Sequence, residues 1–498
     1  MNQLDAEPSC TRRAVHTSRR IYEMIKSQIA DGVLGAGDHL PSTRALASDL
    51  GVSRTTVIAV YEQLAAEGYL ETSQGARTRV AVGAAMQTRT SPAKEMQSGR
   101  TPRLSAYGRR AAKLALPSLP APDATRSVIE FLYGALSSAD FPTLAWRRAY
   151  DRALLQRQPR LFYAAPEGEP ELRVELQGYL RRARGLACDL DQILIANGSQ
   201  QAIDLCARVL LDPGDPVVIE EPCYLMARRV FEAAGASVRE TAVDEHGLVT
   251  QDLPSHRTTL AYVTPSHQFP LGGVMPVARR QELLSWAQKS GAWIVEDDYD
   301  GEFRYGLRPV DTLQSIDTAG SVIYVGTFSK ALSPEMRLGY LVLPKALVTT
   351  FRQAKRLTDR HAPRLEQVAL ASLIRSGTYE RHVRRIRREN ERRRTILLQA
   401  IEQHLPARTQ VVGAASGLHV VVWLGHMHAR DEAALVAQAR EQGVGVLPIS
   451  PMYAARLTYR GRDCAGLVLG YASLGHDEIE EGIRRLGAAV ARMGTTSS

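Results

Sequence analysis

The 498-residue sequence predicts a multidomain chain, in which a small α+β module of about eighty residues precedes a much larger α/β module. Three observations predict it. The front of the chain holds two serine-capped helix starts followed by a hairpin signal. From about residue 128, short β-branched runs alternate with helical stretches. Between the two lies a stretch rich in Pro, Ser, Ala and Arg that sustains no apolar period.

Composition sets the frame for these elements. Hydrophobic residues at 44% and charged residues at 23% match a folded globular chain and exclude a disordered one. No run of about eighteen uncharged apolar residues occurs, and MNQLDAEPSCTRR lacks the basic-then-apolar order of a secretory signal. The expectation is a cytoplasmic protein that does not span a membrane. Five cysteines, spread widely and never in a CxxC pair, indicate neither a disulfide framework nor a zinc site. The histidines show no HxxxH or HExxH spacing, so no metal is expected. The net charge of +9 is uneven: residues 83–127 carry 8 Lys and Arg against 2 Asp and Glu, whereas residues 1–82 carry 9 of each. That basic stretch, 83–127, is read as an interdomain linker.

In the front module Ile21, Ile25 and Ile29 repeat at spacing four, predicting a helix from about Arg19 to Asp31. Ser42 caps a second helix ending at Gly51, and Ser53 caps a third. Two capped helices joined by LGVS form a helix-turn-helix. Val57, Val60, Tyr61 and Leu64 give the third helix one buried face, leaving Arg54, Thr55 and Thr56 free at its first turn, where a recognition helix meets DNA. GYLET, the turn SQGA and RTRVAV then read as a hairpin, the wing of a winged helix, with Arg77 and Arg79 beside its tip, suited to phosphate.

LPSTRALASDLGVSRTTVIAVYEQLAAEGYLET resembles the GntR-type winged-helix DNA-binding domain over residues 15–82. The resemblance implies contacts to double-stranded operator DNA from Arg44, Ser53, Arg54, Thr55 and Thr56, with Arg77 suited to phosphate. The wing departs from the family's GxGT, reading GART. The competing reading is a protein-docking module with merely solvated arginines, which the module's zero net charge favours slightly.

The back module carries three polar clusters at the ends of its predicted strands, where ligands bind in open α/β sheets. Gly198-Ser199-Gln200 closes one strand and opens a helix, a ready anion site. TFSK, Thr327 to Lys330, with Arg337 seven residues on, offers two hydroxyls, an amine suited to a Schiff base and a guanidinium suited to phosphate. Val295-Glu296-Asp297-Asp298-Tyr299 ends an apolar strand in carboxylates; Asp297 is placed to keep a pyridine nitrogen protonated, and Tyr299 to donate to the ring's phenolic oxygen. Together these describe pyridoxal 5′-phosphate held as an internal aldimine.

Residues 128–498 are similar to a fold-type I aminotransferase of class I/II, a large part over about 128–390 and a small C-terminal α+β part over about 391–498. With the N-terminal winged helix, the whole chain resembles the MocR/GabR family of transcriptional regulators. The likeness implies that Lys330 carries the cofactor, that Tyr224 stacks on its ring, and that Ser199, Gln200, Thr327, Ser329 and Arg337 bind its phosphate. Tyr163 is expected to arrive from the second subunit of a head-to-tail homodimer. His267 lies in HQFP, where true aminotransferases carry an asparagine motif, and is expected at the cofactor in its place; GLVLGYASL lacks the arginine that clamps a substrate carboxylate. Both departures favour a regulator that senses an amine through aldimine chemistry at Lys330, with at most weak transaminase activity, over a genuine aminotransferase with an accessory winged helix. The run RHVRRIRRENERRR, 381–394, is expected to form a solvated helix.

Overall fold

The computed structural model describes residues 9–72, 77–84, 103–115, 128–156, 162–306, 311–454 and 463–495, and the chain divides into two compact units, Met1–Arg103 and Leu104–Ser498. In the first, α1 (Ser9–Ala30) begins ten residues before the expected start. SCTRRAVHTS has no apolar repeat, so periodicity could not mark the true beginning. The caps of α2 (Thr43–Leu50) and α3 (Arg54–Ala66) lie where the serines place them. Ser42 accepts from the Ala45 N–H at 3.2 Å, Ser53 from Thr56 at 3.1 Å, and Gly51 ends α2 in the left-handed conformation at φ 63°.

Ile21, Ile25 and Ile29 meet Val57, Val60, Tyr61 and Leu64 in one core, closed by Leu70 and Val80. Those last two residues pair directly across the hairpin of β1 (Leu70–Glu71) and β2 (Arg79–Val80). The wing tip, 73–76, lies outside the described residues. Arg79, expected to serve phosphate, is instead bound to Glu71 across the hairpin at 2.7 Å.

The second unit opens inside the stretch read as a linker. There α4 (Ala106–Ala111), capped by Ser105, packs on the helix Leu225–Ala234. Six residues are too few to display an apolar period, which is why the sequence pattern reads as linker.

β3 (Ile129–Glu130) comes next, and then the strands of the main sheet: β4 (Ile193–Ala196), β5 (Pro216–Glu221), β6 (Ser237–Asp244), β7 (Gly247–Leu248), β8 (Leu260–Val263), β9 (Trp293–Asp298), β10 (Val322–Thr327) and β11 (Gly339–Val342). Their order is β4-β11-β10-β9-β8-β5-β6-β7. The run from β10 to β6 is parallel, while β11 is antiparallel to both its neighbours and β7 to β6. β4, β8, β9 and β10 are buried almost throughout, as continuous apolar runs covered on both faces should be. The C-terminal ends of β5, β8, β9 and β10 therefore open on one edge, and that edge carries the site.

A smaller antiparallel sheet joins β12 (Thr409–Val412), β13 (His419–Leu424), β15 (Leu447–Pro448) and β16 (Ala465–Gly470), while β14 (Val444–Gly445) pairs with β3. Two details differ from expectation. Ile129 and Phe131 belong to the core of this C-terminal part although they stand at the start of the module. Position 390, the expected boundary, lies inside one continuous helix, Thr378–His404, whose Tyr379 and Val383 pack in the large part and whose Leu397 and Ile401 pack in the small one.

Arg381, Arg384, Arg385, Arg388 and Arg392 on that helix are exposed, as expected of a solvated face, but two other arginines are not solvated. Arg393 is 6% exposed and bonds Asp140 at 2.6 Å, and Arg394 donates to the Ala414 carbonyl and lies over the Tyr305 ring. Their partners lie far away in sequence, where helical spacing gives no sign of them.

Candidate functional site

Lys330 stands in the turn after β10, half-buried, with its amine close against Gly134. Burial pulls its pKa down, opposed by Asp300 and Asp297, so the amine is more readily neutral than a surface lysine. Asp297, on β9 beside Val325 of β10, is 4% exposed. Tyr262 donates to its Oδ2 at 2.6 Å, and its Oδ1 is buried with no partner. Burial pushes this carboxyl up to about 7. A buried acceptor left open beside a lysine is the feature a protonated ring nitrogen would satisfy.

At the neighbouring helix Gly198–Leu210, Gly198 takes φ +80°, which costs a glycine little and turns the first N–H groups of the helix outward. A Cβ there would stand 2.9 Å from the Arg337 guanidinium, which donates to the Asn197 carbonyl at 3.2 Å. Ser199 and Gln200 follow in the first turn, and the Thr327 hydroxyl accepts from the Ser329 N–H at 3.1 Å. Tyr224 is the N-cap of the helix Leu225–Ala234 and meets Phe269 edge-to-face.

One cavity is lined by Ser199, Gln200, Tyr224, Asp297, Tyr299, Thr327, Ser329, Lys330 and Arg337. Two further candidates are not among its walls. His267 is buried behind Tyr299, its Nδ1 2.9 Å from the Tyr299 hydroxyl and 2.7 Å from Asp300 Oδ2. It is held by a carboxylate and orients the tyrosine from behind. Tyr163 is exposed, lying under the Arg360 guanidinium at 4.0 Å, and does not line its own chain's cavity.

The cavity also contains residues that sequence reasoning missed. Tyr262 was signalled only by a hydroxyl in an otherwise apolar strand, which demands a buried partner. Asp300 directly follows the quoted tyrosine, but Leu418 and His419 come from the small part with no local signal. Burial pushes the His419 imidazole down to about 4, and its Nε2 lies 3.0 Å from the Pro270 carbonyl.

These residues fit pyridoxal phosphate: a half-buried amine, an open buried carboxylate at one end, and a glycine-opened helix start with hydroxyls and a guanidinium at the other. In the first unit, Arg44, Arg54 and Arg77 are exposed, as are Ser53 and Thr55, while Thr56 is half-buried. The Ser53 hydroxyl is occupied by capping and by the hydroxyls of Thr55 and Thr56 at 2.8 and 2.7 Å. The arginines are thus the freer groups.

Residues 17–80 match the family described as bacterial regulatory proteins, gntR family, and residues 129–486 match aminotransferase class I and II. Along nearly its whole length the chain is 35% identical to the "Probable rhizopine catabolism regulatory protein MocR" of Rhizobium meliloti, covering 95% of this chain and 93% of that one. The chain belongs to the MocR family of transcriptional regulators.

Other members of the family are similar to it over comparable lengths. The pyridoxine biosynthesis transcriptional regulator PdxR of Corynebacterium glutamicum is 31% identical, covering 92% of each chain. Among solved structures, the kynurenine aminotransferase of Pyrococcus horikoshii is 29% identical with a TM-score of 0.67, over 74% of this chain and 92% of that one. The gntR-type domain makes this MocR-family chain a DNA-binding protein, and its larger domain has the fold of pyridoxal phosphate-dependent aminotransferases. No helix among the described residues is long and apolar enough to cross a membrane.

Proposed function

We propose that the larger unit of this regulator binds pyridoxal phosphate at Lys330 and senses an amine-type small molecule there, so that the effector alters the grip of the gntR-type domains on operator DNA. The carrying observation is that Lys330, the open carboxylate of Asp297, Ser199 and Arg337 line one cavity. When bound, the cofactor supplies an aldehyde that condenses with amines and a ring nitrogen that withdraws electrons. Asp297 would hold that nitrogen protonated, Tyr299 would meet the ring oxygen with His267 and Asp300 behind it, and Tyr224 would cover a ring face. Ser199, Gln200, Thr327, Ser329 and Arg337 would take the phosphate.

The protein works as a cytoplasmic homodimer in this reading. Tyr163, exposed and not among the walls of its own chain's cavity, would serve the cavity of the partner subunit. Arg44, Arg54 and Arg77 would grip the phosphate backbone, and Thr55 and Thr56 would face the bases from the first turn of α3.

Similarity to aminotransferases supports a second reading, an enzyme with an accessory DNA-binding domain. Titrating the purified protein with amines, amino acids and a 2-oxo acid while following the pyridoxal absorption band separates the two. A band shift that persists without product supports the sensor. Full conversion to the pyridoxamine form, reversed by the 2-oxo acid, would make turnover the primary activity.

A further inference from the structure

The helix Leu225–Ala234 begins at Tyr224, a wall of the ligand cavity, and ends at Gly235 about 15 Å away, at 1.5 Å per residue. Its last carbonyls are held by a residue from the opening segment of the second unit. Arg110 of α4 donates from Nε to the Ala233 carbonyl and from Nη2 to the Ala234 carbonyl, each at 2.9 Å. A cation at this end is favoured by the helix dipole, and the planar guanidinium reaches two carbonyls at once. Gly235 leaves the room: at φ +94°, a Cβ there would stand 2.8 Å from Arg110 Cζ.

A second observation joins the same stretch to the other end of the cavity. Gln200 and Arg337 line the ligand cavity and also a neighbouring cleft, which is lined as well by Tyr107, Ala111 and Leu114. The segment Leu104–Leu114 therefore packs on a cavity-forming helix and shares a cleft with the two residues placed for phosphate.

We infer that Arg110 is a positioning residue that ties occupancy of the cavity to the chain leading toward the DNA-binding domain, an inference that rests on pyridoxal phosphate binding as proposed above. An anion seated at Gln200 and Arg337, with a ring against Tyr224, would act on one wall of the shared cleft and on the start of the helix that α4 packs on. The Arg110 clamp makes α4 follow the helix Leu225–Ala234. Without the clamp, α4 loses its fixed seat on that helix and the connecting stretch no longer responds.

Amide hydrogen exchange on the full-length protein, with and without pyridoxal phosphate, tests this. The amides of Arg109, Ala112, Lys113 and Leu114 are all bonded within the segment, so their exchange reports its opening. In the wild-type protein, pyridoxal phosphate should change their protection by about fivefold or more, the lower end of typical coupling between sites. In Arg110→Gln that response should vanish while protection at Ser199, Gln200 and Tyr224 remains. Arg110→Lys, which retains a cation for the helix end, should fall between.

A purely structural tether would leave residues 109–114 identical with and without pyridoxal phosphate. That result, alongside protected cavity amides in the wild type, overturns the inference alone. So does a full response in Arg110→Gln. Absence of protection at Ser199, Gln200 and Tyr224 in the wild type would remove both the cofactor reading and the inference built on it.

Discussion

Asp297→Asn should make the cofactor-free protein more stable and the cofactor weaker, and the structure sets both magnitudes. Asp297 is 4% exposed, with one oxygen accepting from Tyr262 and the other buried without a partner. Raising a carboxyl from 3.8 to about 7 corresponds to about 4 kcal/mol against its ionised form. Because the folded pKa is raised, the stabilising share of this group is complete below pH 3.8 and is lost as pH rises to about 7. At neutral pH nearly all of the cost is present.

Asparagine fills the same space without the charge, and the Tyr262 bond to a neutral acceptor is weaker by about 1 kcal/mol. The cofactor-free variant should gain about 2–3 kcal/mol, seen as a melting temperature raised by a few degrees. Its stability should also fall less steeply between pH 4 and pH 7. The slope will not vanish, since burial raises Glu220, Glu296 and Glu302 to about 7 as well. Affinity for pyridoxal phosphate, in contrast, should drop about 10- to 100-fold, the worth of one charge-assisted bond to the ring nitrogen. Thermal melts across pH and an absorbance titration read both effects. A cofactor-free variant that melts lower, with an unchanged pH slope and unchanged cofactor affinity, would refute the assignment of Asp297.

Three further outcomes are expected. Lys330→Ala should lose the visible band of covalently held pyridoxal and the effector response while retaining DNA binding, measured by spectrum and gel shift on the same preparation. Gly198→Ala places a Cβ 2.9 Å from the Arg337 guanidinium on a backbone at φ +80°, so strain of about 1–2 kcal/mol and a displaced arginine should weaken pyridoxal phosphate binding about tenfold in a calorimetric titration. Arg54→Ala removes an exposed cation from the first turn of α3; operator affinity should fall and its salt dependence should flatten by about one counterion, with the pyridoxal spectrum unchanged.

The features legible in the sequence were those encoded within a few residues. Ser42, Gly51 and Ser53 fix the helix ends because caps satisfy backbone groups three residues away. Lys330, Asp297 and Ser199 were legible because polar residues that close apolar β-strands in an α/β sheet converge on its C-terminal edge. His419 and Leu418 escaped because they reach the cavity from the small part, placed by the pairing of β13 with β16. His267 was placed beside the cofactor by its position in HQFP, yet Asp300 holds it one layer back. Arg393 was misread because its carboxylate, Asp140, is 253 residues away in sequence.

The regulatory reading also constrains how strongly the parts must be coupled. A ligand shifts DNA binding only by its differential affinity for two arrangements of the protein, and a tenfold change needs about 1.4 kcal/mol. Two bonds from one guanidinium to helix-terminal carbonyls are worth about that much or somewhat more. The Arg110 clamp is therefore strong enough to carry a useful response and weak enough to be reset by a ligand in the cavity. Reciprocity follows from the same free energy: operator DNA must change the affinity for the effector by the factor with which the effector changes the affinity for DNA. If the amine binds equally well with and without operator, no contact in this structure, Arg110 included, can make it a regulator of DNA binding.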